Sequence, residues 1–92
     1  MPLLNEEEVE RRLGDLSGWE LEDNAIKKSL KGDDFKSSVD FVNRVLPVAE
    51  EMNHHPDLEI SWNTVTVTIT THSEGGLTEN DFELASKIDA LD

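Results

Sequence analysis

The sequence predicts an α+β fold in which helices pack on one face of a four-stranded antiparallel sheet. Three observations predict it. Two regions alternate apolar and polar residues with the period of a strand, one long region repeats apolar residues at helical spacing, and capping residues precede each helix. The predicted element order is α-β-β-α-β-β-α, and all 92 residues are expected to form a single domain.

The first helix is predicted over residues 5–13. Asn5 is a favourable N-cap, and Glu8 stands three residues later, where it can close a capping box. The acidic first turn complements the helix dipole. Gly14 is expected to end the helix after Leu13.

A hairpin is predicted to follow over residues 19–30. Trp19 and Leu21 alternate with polar residues, the segment 22–24 supplies turn residues, and residues 25–30 can return as the second strand.

The long central helix is predicted over residues 35–52, after the chain-breaking segment 32–34. Pro47 removes one backbone donor inside it, so a kink is expected there. Phe41 and Val48 fall beside the apolar stripe and are candidate subunit contacts. The stripe itself consists of Phe35, Val39, Val42, Val45, Leu46, Ala49 and Met52.

Two further strands and a last helix complete the pattern. Leu58, Ile60 and Trp62 alternate with polar residues, and residues 64–70 then alternate threonine with valine or isoleucine. The last helix is expected to begin after Thr78, because Thr78 and Asp81 have the spacing of a capping box.

The composition of the chain excludes several classes of function. Its 21 Asp and Glu against 8 Lys and Arg give a net charge of −13, which disfavours direct binding to nucleic acid. The chain has no cysteine, so disulfides and thiolate chemistry are excluded and a cytoplasmic location is expected. Neither a secretory signal nor a membrane-spanning run is visible. The acidity also supports the hypothesis of a halophilic source.

The three histidines are the candidate functional residues. His54 and His55 lie where the long helix must end, because the residue before Pro56 is pushed out of the helical conformation. His72 follows the threonine-rich strand, and Asp81 lies in the first turn of the last helix. All four therefore stand at the ends of secondary-structure elements, where functional groups are often held on a rigid scaffold.

The residues alone leave three interpretations open. The histidines could be incidental, with Asp81 serving only as a capping residue. Three imidazoles and a carboxylate could instead hold zinc, although adjacent histidines on an extended chain point apart and no HExxH-type spacing is present. The third interpretation is acid–base catalysis, since imidazole can accept and donate protons near neutral pH.

The segment 50–89 resembles the pterin-4a-carbinolamine dehydratase family. The resemblance is carried by an ordered set of residues with consistent spacing. These are Glu50, His54-His55-Pro56, Trp62, Thr71-His72, Gly75-Gly76-Leu77-Thr78 and Asp81, followed by Leu84-Ala85-Ser86 and Ile88-Asp89.

The resemblance implies dehydration of 4a-hydroxytetrahydropterin to quinonoid dihydropterin, as in the recycling of tetrahydrobiopterin. It further implies that His54 and His72 face the ring, one as acid and the other as base. His55 would be a second acid–base or positioning group, and Asp81 would orient a histidine. The resemblance implies no metal and no cofactor. The implied substrate-binding residues are Glu50, His54, His55, Pro56, Thr71, His72, Ser73 and Glu74.

The resemblance also bears on partners. It implies a homodimer or homotetramer, with the edge strands as further candidate contacts, and a pterin-dependent aromatic amino-acid hydroxylase in the same pathway. Two other functions stay open at this point. Relatives act as dimerisation cofactors of a transcription factor, and the same fold could act on another pterin, such as one of molybdopterin metabolism. Neither nucleic acid nor a membrane is an expected partner.

Overall fold

The computed structural model describes residues 2–92 and has the predicted element order, so the predicted fold class is confirmed. The prediction of a single domain over residues 1–92 includes Met1, which lies outside the described residues, and it stays a prediction. A single turn of 3-10 helix, His72–Glu74, precedes the last helix. The other elements are α1 (Glu6–Gly14), β1 (Glu20–Glu22), β2 (Ala25–Lys31), α2 (Phe35–Met52), β3 (Asp57–Ser61), β4 (Thr64–Ile69) and α3 (Glu79–Asp89).

The sheet has the strand order β1-β2-β4-β3, and all neighbouring strands are antiparallel. β4 therefore lies between β2 and β3, with Ile26 opposite Ile69 and Leu58 opposite Val67. The valine and isoleucine side chains of β4 are buried, whereas its threonines are partly exposed. The prediction of one apolar and one threonine-covered face is confirmed.

The core lies between the apolar face of the sheet and the helices. The side chains of Ile26, Ile69, Leu84 and Ile88 are fully buried within it. Burial of a large aliphatic side chain stabilises a fold by about 1.5–3 kcal/mol, so these residues hold α3 firmly against the strands. The position of α3 matters because Asp81 lies in its first turn.

The first helix begins as predicted and ends one residue later. The Asn5 side chain accepts a hydrogen bond from the backbone nitrogen of Glu8 at 2.9 Å. Gly14 is the last residue of α1 and Asp15 is its C-cap, so the helix does not end after Leu13. Gly14 keeps a negative φ, which explains why it can remain inside the helix.

Helix α2 has the predicted bounds, but a different side of it is buried. Phe41 is 5% exposed, whereas Phe35 and Leu46 of the predicted stripe are 56% and 59% exposed. The buried positions are Ser38, Phe41, Val45 and Ala49. Small Ser38 lets the β3–β4 turn approach closely, and its hydroxyl donates to the Trp62 carbonyl at 2.7 Å.

Phe41 therefore belongs to the core, and its prediction as a subunit contact is wrong. The row Phe35, Val39, Val42 and Leu46 flanks the buried side instead and is exposed or half-exposed; we call it the apolar row. One residue along a helix is a rotation of about 100°, which separates this row from the buried side. The helix continues through Pro47, and the predicted kink stays a prediction.

The hairpin is confirmed, and it turns at Asp23 and Asn24. Trp19 precedes β1 and is buried, and its indole nitrogen donates to Asp89 of α3 at 3.0 Å. β1 begins at Glu20, one residue after the predicted start of the hairpin at Trp19, and Leu21 on it is exposed. Gly18, with φ of 82°, turns the chain between α1 and the hairpin and allows Trp19 to point inward.

Trp62 also departs from the predicted pattern. It lies in the turn between β3 and β4, with φ of 49°, and it is exposed rather than part of the apolar face of β3. β3 is an edge strand, and Ile60 on it is only partly covered. Within residues 2–92, no helix has the length and apolar character needed to cross a membrane.

Candidate active site

Asp81 is the most deeply buried charged residue of the candidate site, with no exposed surface. It is the third residue of α3, and its Oδ2 atom accepts a hydrogen bond from the Thr78 backbone nitrogen at 2.7 Å. The predicted capping box is therefore present. Oδ2 also accepts from the Thr71 hydroxyl at 2.8 Å, which leaves Oδ1 free for another partner.

That partner is His54. Its Nε2 atom lies 2.6 Å from Oδ1 of Asp81, and its side chain is only 11% exposed. Since a carboxylate can only accept, Nε2 carries the proton of this bond and Nδ1 is left for another contact. A buried carboxylate that fixes the tautomer and orientation of an imidazole is an arrangement suited to proton transfer.

The end of α2 brings His54 to this position. Asn53 adopts the left-handed conformation, with φ of 51°, and acts as the C-cap of the helix. The His54 backbone nitrogen then donates to the Ala49 carbonyl at 3.1 Å, which holds the chain against the helix end. Pro56 follows and directs the chain into β3.

Two buried threonines complete the hydrogen-bond network. The hydroxyls of Thr71 and Thr78 lie 2.8 Å apart. Because Thr71 donates its proton to Asp81, the Thr78 hydroxyl must donate to Thr71. Buried side-chain nitrogen and oxygen atoms of residues 2–92 all have hydrogen-bond partners, so the polar network is fully satisfied.

His72 directly follows Thr71 but faces a different environment. It begins the 3-10 turn and is exposed. Its side chain lines an open cleft of ≈ 380 Å³ on the threonine-covered side of the sheet, next to Thr68, Thr70 and Asp57. The cleft also includes residues of the β1–β2 turn and Gly75. We call it the His72 cleft.

His55 is paired with Glu50 rather than with the buried network. Its Nε2 atom is hydrogen bonded to the Glu50 carboxylate, and both side chains are more than half exposed. The two adjacent histidines thus point to different partners, as expected for neighbours on an extended chain. A side-chain pair this exposed contributes little to stability.

The structure thus joins three of the predicted site residues in one hydrogen-bond network and two others in a separate pair. His54, Asp81 and Thr71 form one network, and the chain connects Thr71 to His72. His55 and Glu50 form a separate exposed pair, and Ser73 and Glu74 are exposed in the 3-10 turn. Their predicted roles toward a substrate stay predictions.

Sequence reasoning missed part of the candidate site. Thr78 was predicted only as a helix cap, yet its hydroxyl belongs to the buried network. Thr68, Thr70 and Asp57 line the His72 cleft without having been singled out. A signal for Thr68 and Thr70 was available, because residues two apart on a strand share a face and these lead directly to His72.

The charge around the site is mostly negative. Glu22, Asp23 and Asp57 line the His72 cleft, with no Lys or Arg among its described lining residues. At the start of α3, Arg12 is bound to Glu79; this hydrogen bond lowers the pKa of Glu79 and raises that of Arg12. Within residues 2–92, no three His, Cys, Asp or Glu side chains are grouped as a metal site would require.

This chain is similar to known proteins over nearly its whole length. The family model described as "Pterin 4 alpha carbinolamine dehydratase" matches residues 2–91. A protein of Sulfolobus acidocaldarius, named "Putative pterin-4-alpha-carbinolamine dehydratase", is 51% identical over 88 residues, which are 96% of this chain and 97% of that protein. A protein of the same name from Roseiflexus castenholzii is 47% identical over 89 residues, 97% of this chain and 96% of its own.

Solved structures share the fold. The crystal structure of a transcriptional coactivator/pterin dehydratase from Brucella melitensis has a TM-score of 0.93 at 38% identity, with 98% of each chain covered. A pterin dehydratase-like protein identified as a RuBisCO assembly factor in the alpha-carboxysome has a TM-score of 0.65 at 19% identity, covering 79% of this chain and 84% of that one. The second likeness concerns the fold alone.

Proposed function

This chain belongs to the pterin 4 alpha carbinolamine dehydratase family, and on that premise we propose that it converts 4a-hydroxytetrahydropterin into quinonoid dihydropterin and water. The observation that carries the proposal is the buried His54–Asp81 pair, 2.6 Å apart, with His72 beginning the adjacent turn at an open cleft. The pair supplies an oriented imidazole, and His72 lines a cleft that a small molecule can enter.

The reaction breaks the C4a–O bond and removes the proton from the neighbouring ring nitrogen, N5. A C4a=N5 double bond forms, and the hydroxyl leaves as water after it gains a proton. The balance requires one proton donor and one proton acceptor. The proposal therefore assigns no metal and no cofactor to this chain.

We assign the acceptor role to His54. With Nε2–H donating to Asp81, the free Nδ1 atom can take the N5 proton, and the buried carboxylate stabilises the imidazolium that forms. His72, exposed in the cleft, is assigned as the donor to the departing hydroxyl. Asp81 is then a positioning residue, and the exposed His55–Glu50 pair is assigned to the rim of the site.

Stopped-flow absorbance of quinonoid dihydropterin formation tests the proposal. Freshly prepared 4a-hydroxytetrahydropterin should dehydrate faster with the wild-type protein, and His54→Ala and His72→Ala should each lower kcat by roughly 10²-fold or more. His55→Ala, in the exposed pair, should retain most of the activity. Wild-type protein that gives no acceleration at low or high salt would refute the dehydratase function.

The pH dependence separates the two roles. An acceptor must be neutral, so loss of the acceptor removes the fall in rate toward acid pH. A donor must be protonated, so loss of the donor removes the fall toward alkaline pH. His54→Ala should therefore abolish the acid limb and His72→Ala the alkaline limb; the opposite pattern would reverse the assignment.

A protein-interaction role is a second candidate, and the apolar row on α2 favours it. Phe35 and Leu46 are among the largest exposed apolar side chains of the chain, and the half-exposed Val39 and Val42 connect them. Exposed apolar stripes of this kind often bind a partner. The Brucella relative is described as a coactivator as well as a dehydratase, which supports the same idea.

We propose that the apolar row forms the subunit contact of a homodimer or homotetramer. Binding of a coactivator-like or hydroxylase partner to the same row is the other outcome of the test. Sedimentation equilibrium should show an oligomer for the wild type and a shift toward monomer for Leu46→Ser. Glu51→Ser, on the same helix, is the control. A wild type that is monomeric at all concentrations would contradict self-association. The cytoplasmic location stays a prediction from composition.

A further inference from the structure

The His72 cleft continues into a second depression at the hairpin turn. Asp23, Asn24 and Gly75 line both. Gly75 has φ of 74°, and a Cβ atom placed on it would meet no other atom within 4 Å. The space beside Gly75 is therefore open where the two depressions meet.

The second depression is an apolar groove of ≈ 360 Å³, which we call the leucine groove. Its apolar lining comes from the N-terminal segment, α1, β1 and the loop before α3. The Leu4 backbone nitrogen donates to the Leu77 carbonyl at 2.9 Å, which fixes one wall. Leu3 and Leu21 are more than half exposed, and Val9 and Leu77 form the buried base.

Gly76 allows the Leu3 side chain to pack against the loop before α3. The Cδ2 atom of Leu3 would lie only 3.0 Å from a Cβ atom at Gly76, so the Leu3 side chain packs directly over this glycine. A residue with a side chain there would displace Leu3. The Gly75-Gly76 pair thus serves both depressions, one glycine by leaving open space where they meet and the other by admitting Leu3.

Both depressions are lined by acidic side chains, which disfavour the binding of a negatively charged group. Glu6, Glu10 and Asp23 line the leucine groove, and Glu22, Asp23 and Asp57 line the His72 cleft. Neither has a Lys or Arg among its described lining residues. A phosphate or carboxylate group placed there would lie beside like charges, which disfavours its binding.

The chemistry of the proposed reaction fixes which part of a pterin would reach the groove. The reacting atoms are C4a and N5, and C6 is bonded to N5. His72 is assigned to the hydroxyl on C4a, and N5 links C4a to C6, so a substituent on C6 begins near His72. Gly75 belongs to the same turn, since its backbone nitrogen donates to the His72 carbonyl at 3.1 Å.

We infer that the substrate is a pterin with an uncharged, apolar or aromatic substituent at C6, and that this substituent lies in the leucine groove. The inference rests on the proposed function. It excludes pterins that carry a phosphate or a glutamyl chain at C6 as preferred substrates, and so argues against a phosphorylated pterin of molybdopterin metabolism.

The test compares 4a-hydroxytetrahydropterins with 6-methyl, 6-phenyl and 6-carboxyl groups. For the wild type, kcat/KM should be about tenfold higher for 6-phenyl than for 6-methyl, because the ring fills apolar space that methyl leaves empty. Leu21→Ser should bring this ratio close to one. Trp62→Ser, which removes another exposed apolar side chain that lies outside both depressions, should leave the ratio unchanged. Equal kcat/KM for both compounds in the wild type would overturn the inference.

A charge reversal tests the acidic rim. The 6-carboxyl compound should be a poorer substrate than 6-methyl, and Glu10→Lys should raise its kcat/KM selectively. Glu83→Lys makes the same change in net charge on α3, away from the groove, and should have a smaller effect. Equal gains from both variants would attribute the effect to net charge and contradict a role for the groove.

Binding measurements keep this inference separate from the proposed function. Oxidised 6-methylpterin and 6-phenylpterin do not react, and quenching of their fluorescence reports affinity. Tighter binding of 6-phenylpterin that is lost in Leu21→Ser supports the leucine groove even if dehydration fails. Equal affinities would overturn the groove even if dehydration of the 6-methyl compound is fast.

Discussion

Asp81 contacts His54 through one carboxylate oxygen, with 2.6 Å between Oδ1 and Nε2, and caps its own helix through the other. The orientation of His54 is therefore tied to the start of α3. Thr71 adds a third bond to the same carboxylate and links it to the turn that contains His72. The candidate site is thus part of the packing between α2, β4 and α3.

We first predict that Asp81→Asn lowers kcat by roughly 10²-fold or more while the protein still folds. An amide in place of Oδ1 can present N–H instead of an acceptor, so the Nε2–H tautomer of His54 is no longer favoured. Stopped-flow rates across the pH range measure this effect, and circular dichroism verifies the fold. An unchanged pH profile would exclude the positioning role.

Thr71→Val should lower the free energy of unfolding by about 1–3 kcal/mol. The valine leaves Oδ2 of Asp81 with one partner fewer and removes the acceptor of the Thr78 hydroxyl, and both groups are fully buried. Urea unfolding of the wild type and variant measures the loss. Thr68→Val, on the partly exposed face of β4, is the control and should change stability little.

The Arg12–Glu79 pair predicts a pH dependence of stability. Its hydrogen bond lowers the pKa of Glu79 in the folded protein, so its stabilisation is present above the unfolded-state pKa of about 4.3. The stabilisation is lost as the pH falls through the lower, folded-state pKa. Because Glu79 is exposed and Arg12 is partly exposed to solvent, the effect should be small.

Melting temperatures of the wild type and Glu79→Gln, measured from neutral to acid pH, check this sign. The wild type should be the more stable protein near neutrality, and the difference should narrow as the solution is acidified. Glu83→Gln, on the same helix, serves as the control. A difference that widens toward acid pH would contradict the assignment of the pair.

We further predict that KCl raises the melting temperature of this chain. The net charge of −13 places many like charges on a small surface, and added salt screens their repulsion. Thermal unfolding from low to molar KCl tests the prediction. No change with salt would count against the hypothesis of a halophilic source.

The sequence predicted the elements well because each has a local signal. Asn5, Asp34 and Thr78 are the observed N-caps of the three helices, and the period-two pattern of β4 matches its alternating burial. The side of α2 that faces the core was not predictable in this way. Helical spacing fits both the apolar row and the set centred on Phe41 and Val45, and only the position of the sheet decides between them.

The candidate site was likewise only partly predictable from the sequence. Capping identified Asp81 from local spacing, but the pairing of Asp81 with His54 joins residues 27 positions apart. The local sequence does not indicate which partner His54 or His55 will have, and the left-handed turn at Asn53 followed by the packing of α3 separates their partners. Such differences arise from tertiary structure, which no short motif contains.

Asp81 both bonds His54 and caps α3, and this bears on how relatives should be classified. A descendant that abandoned the chemistry would still be under selection to keep this aspartate, because the start of α3 depends on it. Its presence is therefore a poor marker of enzymatic activity. His72 has an exposed side chain outside the packed interior, so drift should remove it soon after activity is lost. Among relatives with this fold, the residue at that position is the more informative diagnostic.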